Sequence, residues 1–146
     1  MAERPAIVVG VDGSDGGRRA LRFALAEAKL RGCGVDAVRV VRDGDDLELS
    51  GHELWADIES VRNEIADPTG VTQHVIAGDA AAILIERSAE AQLLVVGSHG
   101  TTSMIHSAMG SVSTACGQLA RCPVVVLPKL ADGGRPGVVH GQESAR

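Results

Sequence analysis

Aromatic side chains are almost missing: Tyr is absent, and Phe23 and Trp55 are the only aromatic rings of their class in 146 residues. A surface that binds single-stranded nucleic acid by stacking bases on aromatic rings is therefore excluded, and the core has to be aliphatic. Positive charge is also scarce, with 14 Lys plus Arg against 19 Asp plus Glu and a formal net charge of -5. No global basic field draws in DNA, RNA or anionic lipid, so any phosphate site has to be local. Lysine is absent from Leu30 to Pro128, and with it the P-loop pattern GxxxxGK[ST]. The three cysteines, Cys33, Cys116 and Cys122, contain no CxxC pair and cannot all pair with one another. That usage fits a reducing, cytoplasmic compartment better than a disulfide framework. No apolar stretch of signal-peptide length precedes the first short apolar run, and none approaches the roughly 18 residues of a membrane span. No membrane role is expected.

What is present is an ordinary globular balance, 45% hydrophobic and 23% charged, at a length that predicts one domain. Ile7-Val-Val-Gly-Val11 reads as a strand running into the turn residues Asp12-Gly-Ser-Asp-Gly-Gly17, with a helix starting at Ser14. Ala20, Leu21, Ala24, Leu25 and Ala28 recur at helical spacing until Gly32-Cys-Gly34 ends that helix. Val35 to Val41 supplies a second strand, and after the polar Asp43-Gly-Asp-Asp46 a weaker helical pattern runs through Trp55, Ile58, Val61 and Ile65 to Asp67-Pro-Thr-Gly70. Val71 to Ile76 is a third strand, and Gly78-Asp79 leads into a helix expected to place Ala80, Ile83, Leu84 and Ala91 on one face. Leu93 to Val96 is a fourth strand, followed by a loop rich in Gly, Ser and Thr from Gly97 to Ser111. Val112, Ala115, Cys116, Leu119 and Ala120 mark the apolar side of a last helix that must end before Pro123, and Val124 to Leu127 is the fifth strand.

Strands that alternate with helices and are apolar on both faces predict an α/β domain over residues 1–128 with a doubly wound, five-stranded parallel sheet of Rossmann-like type. The tail from 129 to 146, rich in Gly and charge, is expected to be disordered. In such sheets a ligand sits beyond the carboxyl ends of the strands where the winding reverses. Two strand ends carry special loops: the first, Gly10-Val-Asp-Gly-Ser14, and the fourth, Gly97-Ser-His-Gly100. The order 3-2-1-4-5 puts them side by side.

The loop after the fourth strand reads Gly97-x-x-Gly100, nine residues, then Gly110-Ser111 at a helix start. Glycines let backbone N–H groups approach an anion closely, and a helix N-terminus adds unpaired donors and partial positive charge. Ser98, Thr101, Thr102, Ser103 and Ser111 add hydroxyls, so the loop has the makings of a phosphate cradle. The same pattern resembles that of the universal stress protein family, ATP-binding subclass. Gly97, Gly100, Gly110 and Ser111 match its Gly-x-x-Gly, nine residues, Gly-Ser/Thr signature. The likeness extends to Gly10 through Ser14, Gly78, Leu93 through Gly97 and Cys122 through Pro128, and so covers almost all but the tail. The chain departs from many members at Ala80, Gln92 and His106, where Pro, Asp and a longer basic residue are usual.

The resemblance implies an adenine nucleotide as ligand: ATP, or AMP or ADP, with Mg²⁺ carried by the phosphates. Asp12, after Gly10, and the backbone of Val40 would hold the adenine and ribose side. Gly97, Ser98, His99, Gly100, Thr101, Thr102 and Ser103, with Gly110, Ser111 and Val112, would wrap the ribose and phosphates. The resemblance also implies a homodimer through Val124 to Leu127. The expected function is a nucleotide-responsive signalling or stress-response module. A slow ATPase or other adenylate-handling enzyme, and an interaction scaffold with no nucleotide, are the alternatives. Asp12 is equally at home as a turn or cap residue, and the Asp43, Asp45, Asp46, Glu48 cluster lacks the spacing of a calcium loop. No GxSxG elbow is present, and His99 and His106 form no zinc pattern.

Overall fold

The computed structural model describes residues 4–66, 69–98 and 110–128. Five strands, β1 (Ile7–Gly10), β2 (Val35–Val41), β3 (Val71–Ala77), β4 (Leu93–Gly97) and β5 (Val124–Leu127), alternate with α1 (Asp15–Arg31), α2 (Leu47–Ile65), α3 (Ala80–Arg87) and α4 (Ser111–Leu119). All neighbouring strands run parallel in the order β3-β2-β1-β4-β5. This is the doubly wound, Rossmann-like sheet that the sequence predicts.

The two faces of β1 explain the layers. Ile7 and Val9 lie with α1 and α2 in one aliphatic core, whereas Val8 lies with α3 and α4 in the other. Successive side chains of a strand point to opposite faces, so a strand buried on both sides must be apolar at every position. In α1 the stripe Gly17, Ala20, Leu21, Ala24, Leu25 and Ala28 is buried, and its alanines let the helix axis lie close to β1 and β4. Burying each of the large core side chains Leu21, Leu25, Leu54 and Ile58 contributes about 1.5–3 kcal/mol.

Local chemistry sets most helix ends. Ser14, Asp46 and Asp79 each accept a backbone N–H three residues on, capping α1, α2 and α3. Gly32 ends α1 in the left-handed region at φ 68°, where a side chain is disfavoured. Asp45 accepts the Arg42 amide at 2.9 Å, so this loop's acids serve its turn and the cap of α2.

Three details differ from the sequence reading. The third helix stops at Arg87, so Ala91 reaches its core from the turn after Ser88 and not from the helix. Leu119 is 64% exposed, and the buried positions of α4 are Ser113 and Cys116. The buried side of this nine-residue helix runs through Ser113 and Cys116 toward the half-buried Ala120, and Leu119 lies off it. Trp55, read as part of the apolar pattern of α2, is 42% exposed, and the buried positions of that helix are Ser50, Leu54, Ile58 and Val61. The tail from 129 onward lies outside the described residues.

Candidate functional site

The winding reverses between β1 and β4, and here the ladder stops early. β1 and β4 pair only through Val9↔Val95, while β1 stays with β2 to Gly10↔Val38 and β4 with β5 to Gly97↔Leu127. In doubly wound sheets this is the edge at which the ligand crevice lies, here between two strands that are each still held on their other side. Extending the registers sets Asp12, Val40 and Ser98 on one level across that edge, and the Val11 amide still donates to the Val38 carbonyl at 2.9 Å. Three residues far apart in sequence are thus brought to one rim.

Asp12 begins the β1–α1 loop. Its Oδ1 accepts the Ser14 amide at 3.0 Å and the Ser14 hydroxyl at 2.5 Å, and the Ser14 hydroxyl oxygen in turn accepts the Gly17 amide at 3.1 Å. The aspartate is built into the turn as its sequence context allowed. A Cβ at Gly17 would stand 3.0 Å from Asp12 Oδ1, so glycine there is what lets the carboxylate fold against α1. Gly13 takes φ 88°.

Two arginines that the sequence reading passed over bear on this loop. The Arg39 guanidinium, from the carboxyl half of β2, lies over Gly13 and pairs with Glu53 at 3.0 Å. Arg18 donates to the Gly13 carbonyl at 3.3 Å and pairs with Asp57 and Asp15. Burial disfavours the Arg18 charge, but hydrogen bonds and attraction from Asp15 and Asp57 outweigh it and raise its pKa above the ordinary value. Arg39 could have been noticed as the lone cation among Val35, Ala37 and Val41, which share its face of the strand.

On the β4 side, Gly97 packs against the first turn of α1, where an added Cβ would meet the Gly16 carbonyl carbon and oxygen at 3.1 Å. Ser98 is buried; its amide donates to Leu127 O at 2.8 Å, and its carbonyl accepts the Gly110 amide at 2.5 Å. The chain therefore leaves and re-enters this corner at adjacent points. α4 then starts at Gly110 with no side-chain cap, unlike the other three helices, with Ser111 exposed and Val112 half-buried. An uncapped helix N-terminus directs backbone donors and partial positive charge outward.

Gly10, Asp12, Val40, Gly97, Ser98, Gly110, Ser111 and Val112 thus all belong to the carboxyl edge or to the start of α4. Val40 is half-buried, with its side chain in the core under α3 and α4, which leaves its backbone as the part available to a ligand. His99, Gly100, Thr101, Thr102 and Ser103, with His106, lie outside the described residues. Ser113 was missed: its hydroxyl bonds Ser98 O at 3.0 Å and Gly110 O at 3.1 Å. Its three-residue spacing from Cys116, on the buried stripe of α4, was the available signal. Among the described residues no helix is long and apolar enough to cross a membrane.

Known proteins share this arrangement. Residues 4–128 match the universal stress protein family. A universal stress protein of Mycobacterium tuberculosis is 34% identical over 130 residues, covering 82% of this chain and 44% of its own length. The chain spans about half the length of the curated relatives it matches. A solved universal stress protein from Archaeoglobus fulgidus in complex with dAMP is 27% identical, with a TM-score of 0.67 over 86% of this chain and 98% of that one. Another, in complex with cAMP, is 23% identical, with a TM-score of 0.66 over 87% of this chain and 98% of that one. With a family match spanning the described residues and a sheet whose strand order agrees with it, this chain belongs to the universal stress protein family.

Proposed function

We propose that the chain binds an adenine nucleotide, ATP or its di- or monophosphate, in the crevice between the ends of β1 and β4. It then works as a nucleotide-responsive module in stress response or signalling. The observation that carries this reading is the early end of the β1–β4 ladder at Val9↔Val95, with Gly110 and the uncapped start of α4 beside it. Asp12 and the Val40 backbone would take the base and ribose side. Gly97, Ser98, Gly110, Ser111 and Val112 would take the phosphates, together with the loop residues His99 to Ser103. These donors are backbone amides and hydroxyls, which suit an anion that brings its own Mg²⁺. The dAMP bound by the Archaeoglobus fulgidus protein supports adenine as the base.

Binding without rapid turnover suits this donor set, because Arg18 and Arg39 are engaged with Asp15, Asp57 and Glu53. Interactions made equally with ground and transition states do not speed a reaction. β5 is an edge strand of four half-buried aliphatic residues, and a second copy of the chain pairing there would cover it. The free thiols Cys33, Cys116 and Cys122 support a reducing, cytoplasmic location.

Titration calorimetry with Mg·ATP, Mg·ADP and AMP tests the site. One site per chain is expected, weakened about tenfold or more in Asp12→Ala, which removes a charged hydrogen-bond acceptor. Asp79→Ala, which uncaps α3, should leave affinity unchanged. No binding of any of the three at millimolar concentration refutes the assignment. A monomeric mass by light scattering at tens of micromolar protein refutes the dimer.

A further inference from the structure

We propose that Ser113 is a positioning residue for nucleotide binding: from the buried side of α4 it ties Ser98, just after β4, to Gly110 at the start of α4 and so sets the affinity of the site. The proposal rests on the nucleotide-binding reading above. Ser113 is 1% exposed, one turn before Cys116 at 0%, on a helix face otherwise packed on aliphatic side chains. A hydroxyl buried there is unfavourable unless it is hydrogen-bonded. Bonding back to its own helix would suffice, and Ser113 does reach the Gly110 carbonyl three residues earlier, at 3.1 Å. Its single proton is shared, however, with a carbonyl in another element, Ser98 O at 3.0 Å.

That second acceptor is the last described group before the loop. The Ser98 amide is anchored to the sheet through Leu127 O at 2.8 Å, and its carbonyl also accepts the Gly110 amide at 2.5 Å. Gly110 in turn is the residue on which α4 begins. Ser98 O, Gly110 N and Ser113 Oγ thus form a knot that holds the first turn of α4 against the end of β4, with eleven residues between its two sides. A ligand that contacts both Ser98 and the start of α4 needs those two groups held in place, and it bears whatever part of that ordering cost the protein has not already met. Ser113 meets part of it in advance.

The same geometry separates positioning from mere packing. When the hydroxyl is removed, Ser98 O keeps the Gly110 amide and Gly110 O keeps the Thr114 amide at 3.0 Å. Neither carbonyl is orphaned, so the fold should change little in stability. The Ser98 carbonyl, in contrast, loses its hydrogen bond from the buried side of α4 and keeps the one from Gly110.

The test measures Mg·ATP affinity by calorimetry and Tm without ligand for the wild type, Ser113→Ala, Ser113→Cys and Ser113→Thr. Ala and Cys should weaken binding about tenfold, with Tm within a few degrees of the wild type. Thr, whose hydroxyl readily bonds the carbonyl three residues back in a helix, should restore affinity to within about twofold. Affinity within about twofold of wild type in Ser113→Ala overturns the proposal. So does a loss that Thr fails to rescue and that tracks Tm across the series. Should Ser113→Ala not fold, Ser113→Cys, which preserves the volume, decides by the same criterion. A wild type that binds no adenine nucleotide sinks the site assignment itself. Amide hydrogen exchange at Gly110 then judges the knot separately: faster exchange in the serine variant supports it, and unchanged exchange overturns it.

Discussion

Replacing Gly97 by Ala adds one methyl group at the closest backbone contact of the crevice. The new Cβ would lie 3.1 Å from both the carbonyl carbon and oxygen of Gly16 and 3.3 Å from its Cα. All three are main-chain atoms of α1, which is fixed at its start by the Ser14 cap and along its length by Ala20, Leu21, Ala24, Leu25 and Ala28. No side chain can rotate away, so β4 and the start of α1 must part by a few tenths of an ångström. Overpacking of this kind destabilises by about 1–3 kcal/mol, and Tm falls by roughly 2–4 °C per kcal/mol in a chain of this size.

Two other glycines calibrate the effect. At Gly10 an added Cβ meets Leu84 Cδ1 at 3.0 Å, but that is the end of a flexible side chain, so Gly10→Ala should be milder than Gly97→Ala. At Gly117, within α4, nothing lies within 4 Å, and the gain in helix propensity should stabilise by about 0.4–1 kcal/mol. The same chemical change thus carries opposite signs at two positions. Urea unfolding followed by circular dichroism measures all three. Gly97→Ala within about 0.5 kcal/mol of wild type would refute the argument that α1 and β4 are in backbone contact there.

Four further outcomes are expected. Ser14→Ala removes both the α1 cap and a partner of Asp12 and should lower stability by about 1 kcal/mol in urea titration. Ile58→Ala, at 0% exposure, should cost about 2–5 kcal/mol, whereas Leu119→Lys, at an exposed position, should shift stability by less than about 0.5 kcal/mol. Burial pushes the Cys33, Cys116 and Cys122 thiols above their ordinary 9.0, so the folded chain holds these protons longer than the unfolded one. That contribution is fully present below pH 9 and lost as pH rises through the folded values, and alkylation at pH 8.5 should be slow in the native state and fast in urea; equal rates would contradict it. In single-turnover assays bound ATP should persist for many minutes, and phosphate release at about one per second or faster, the range of phosphoryl-transfer enzymes, would assign an enzyme instead.

Much of the architecture was written in local patterns, because burial on two faces imposes an apolar run on each central strand and burial on one face imposes a stripe on each helix. Ile7 to Val9, Leu93 to Val96 and the Ala-Leu stripe of α1 carry those patterns, and Ser14, Asp46, Asp79 and Gly32 end their helices through contacts within a few residues. Where the constraint weakens, so does the pattern. Leu119 looks like a core residue by spacing alone, yet the buried side of α4 is set by Ser113 and Cys116 and leaves Leu119 exposed, and Ala91 serves the core from a turn.

The order of the strands followed from a physical rule applied to two unusual loops, since a ligand crevice needs the special strand ends to be neighbours. The glycines at 97 and 110 stood out by residue type and short spacing, whereas the ligand role expected of Asp12 came from the resemblance to universal stress proteins. Only the tertiary structure brought Arg39 over Gly13, set Gly16 against Gly97, and placed the Ser113 hydroxyl between Ser98 and Gly110. Apart from the local bond to Gly110, those contacts join elements across 15 to 81 residues of chain, and the spacing of residues in sequence does not pair their partners.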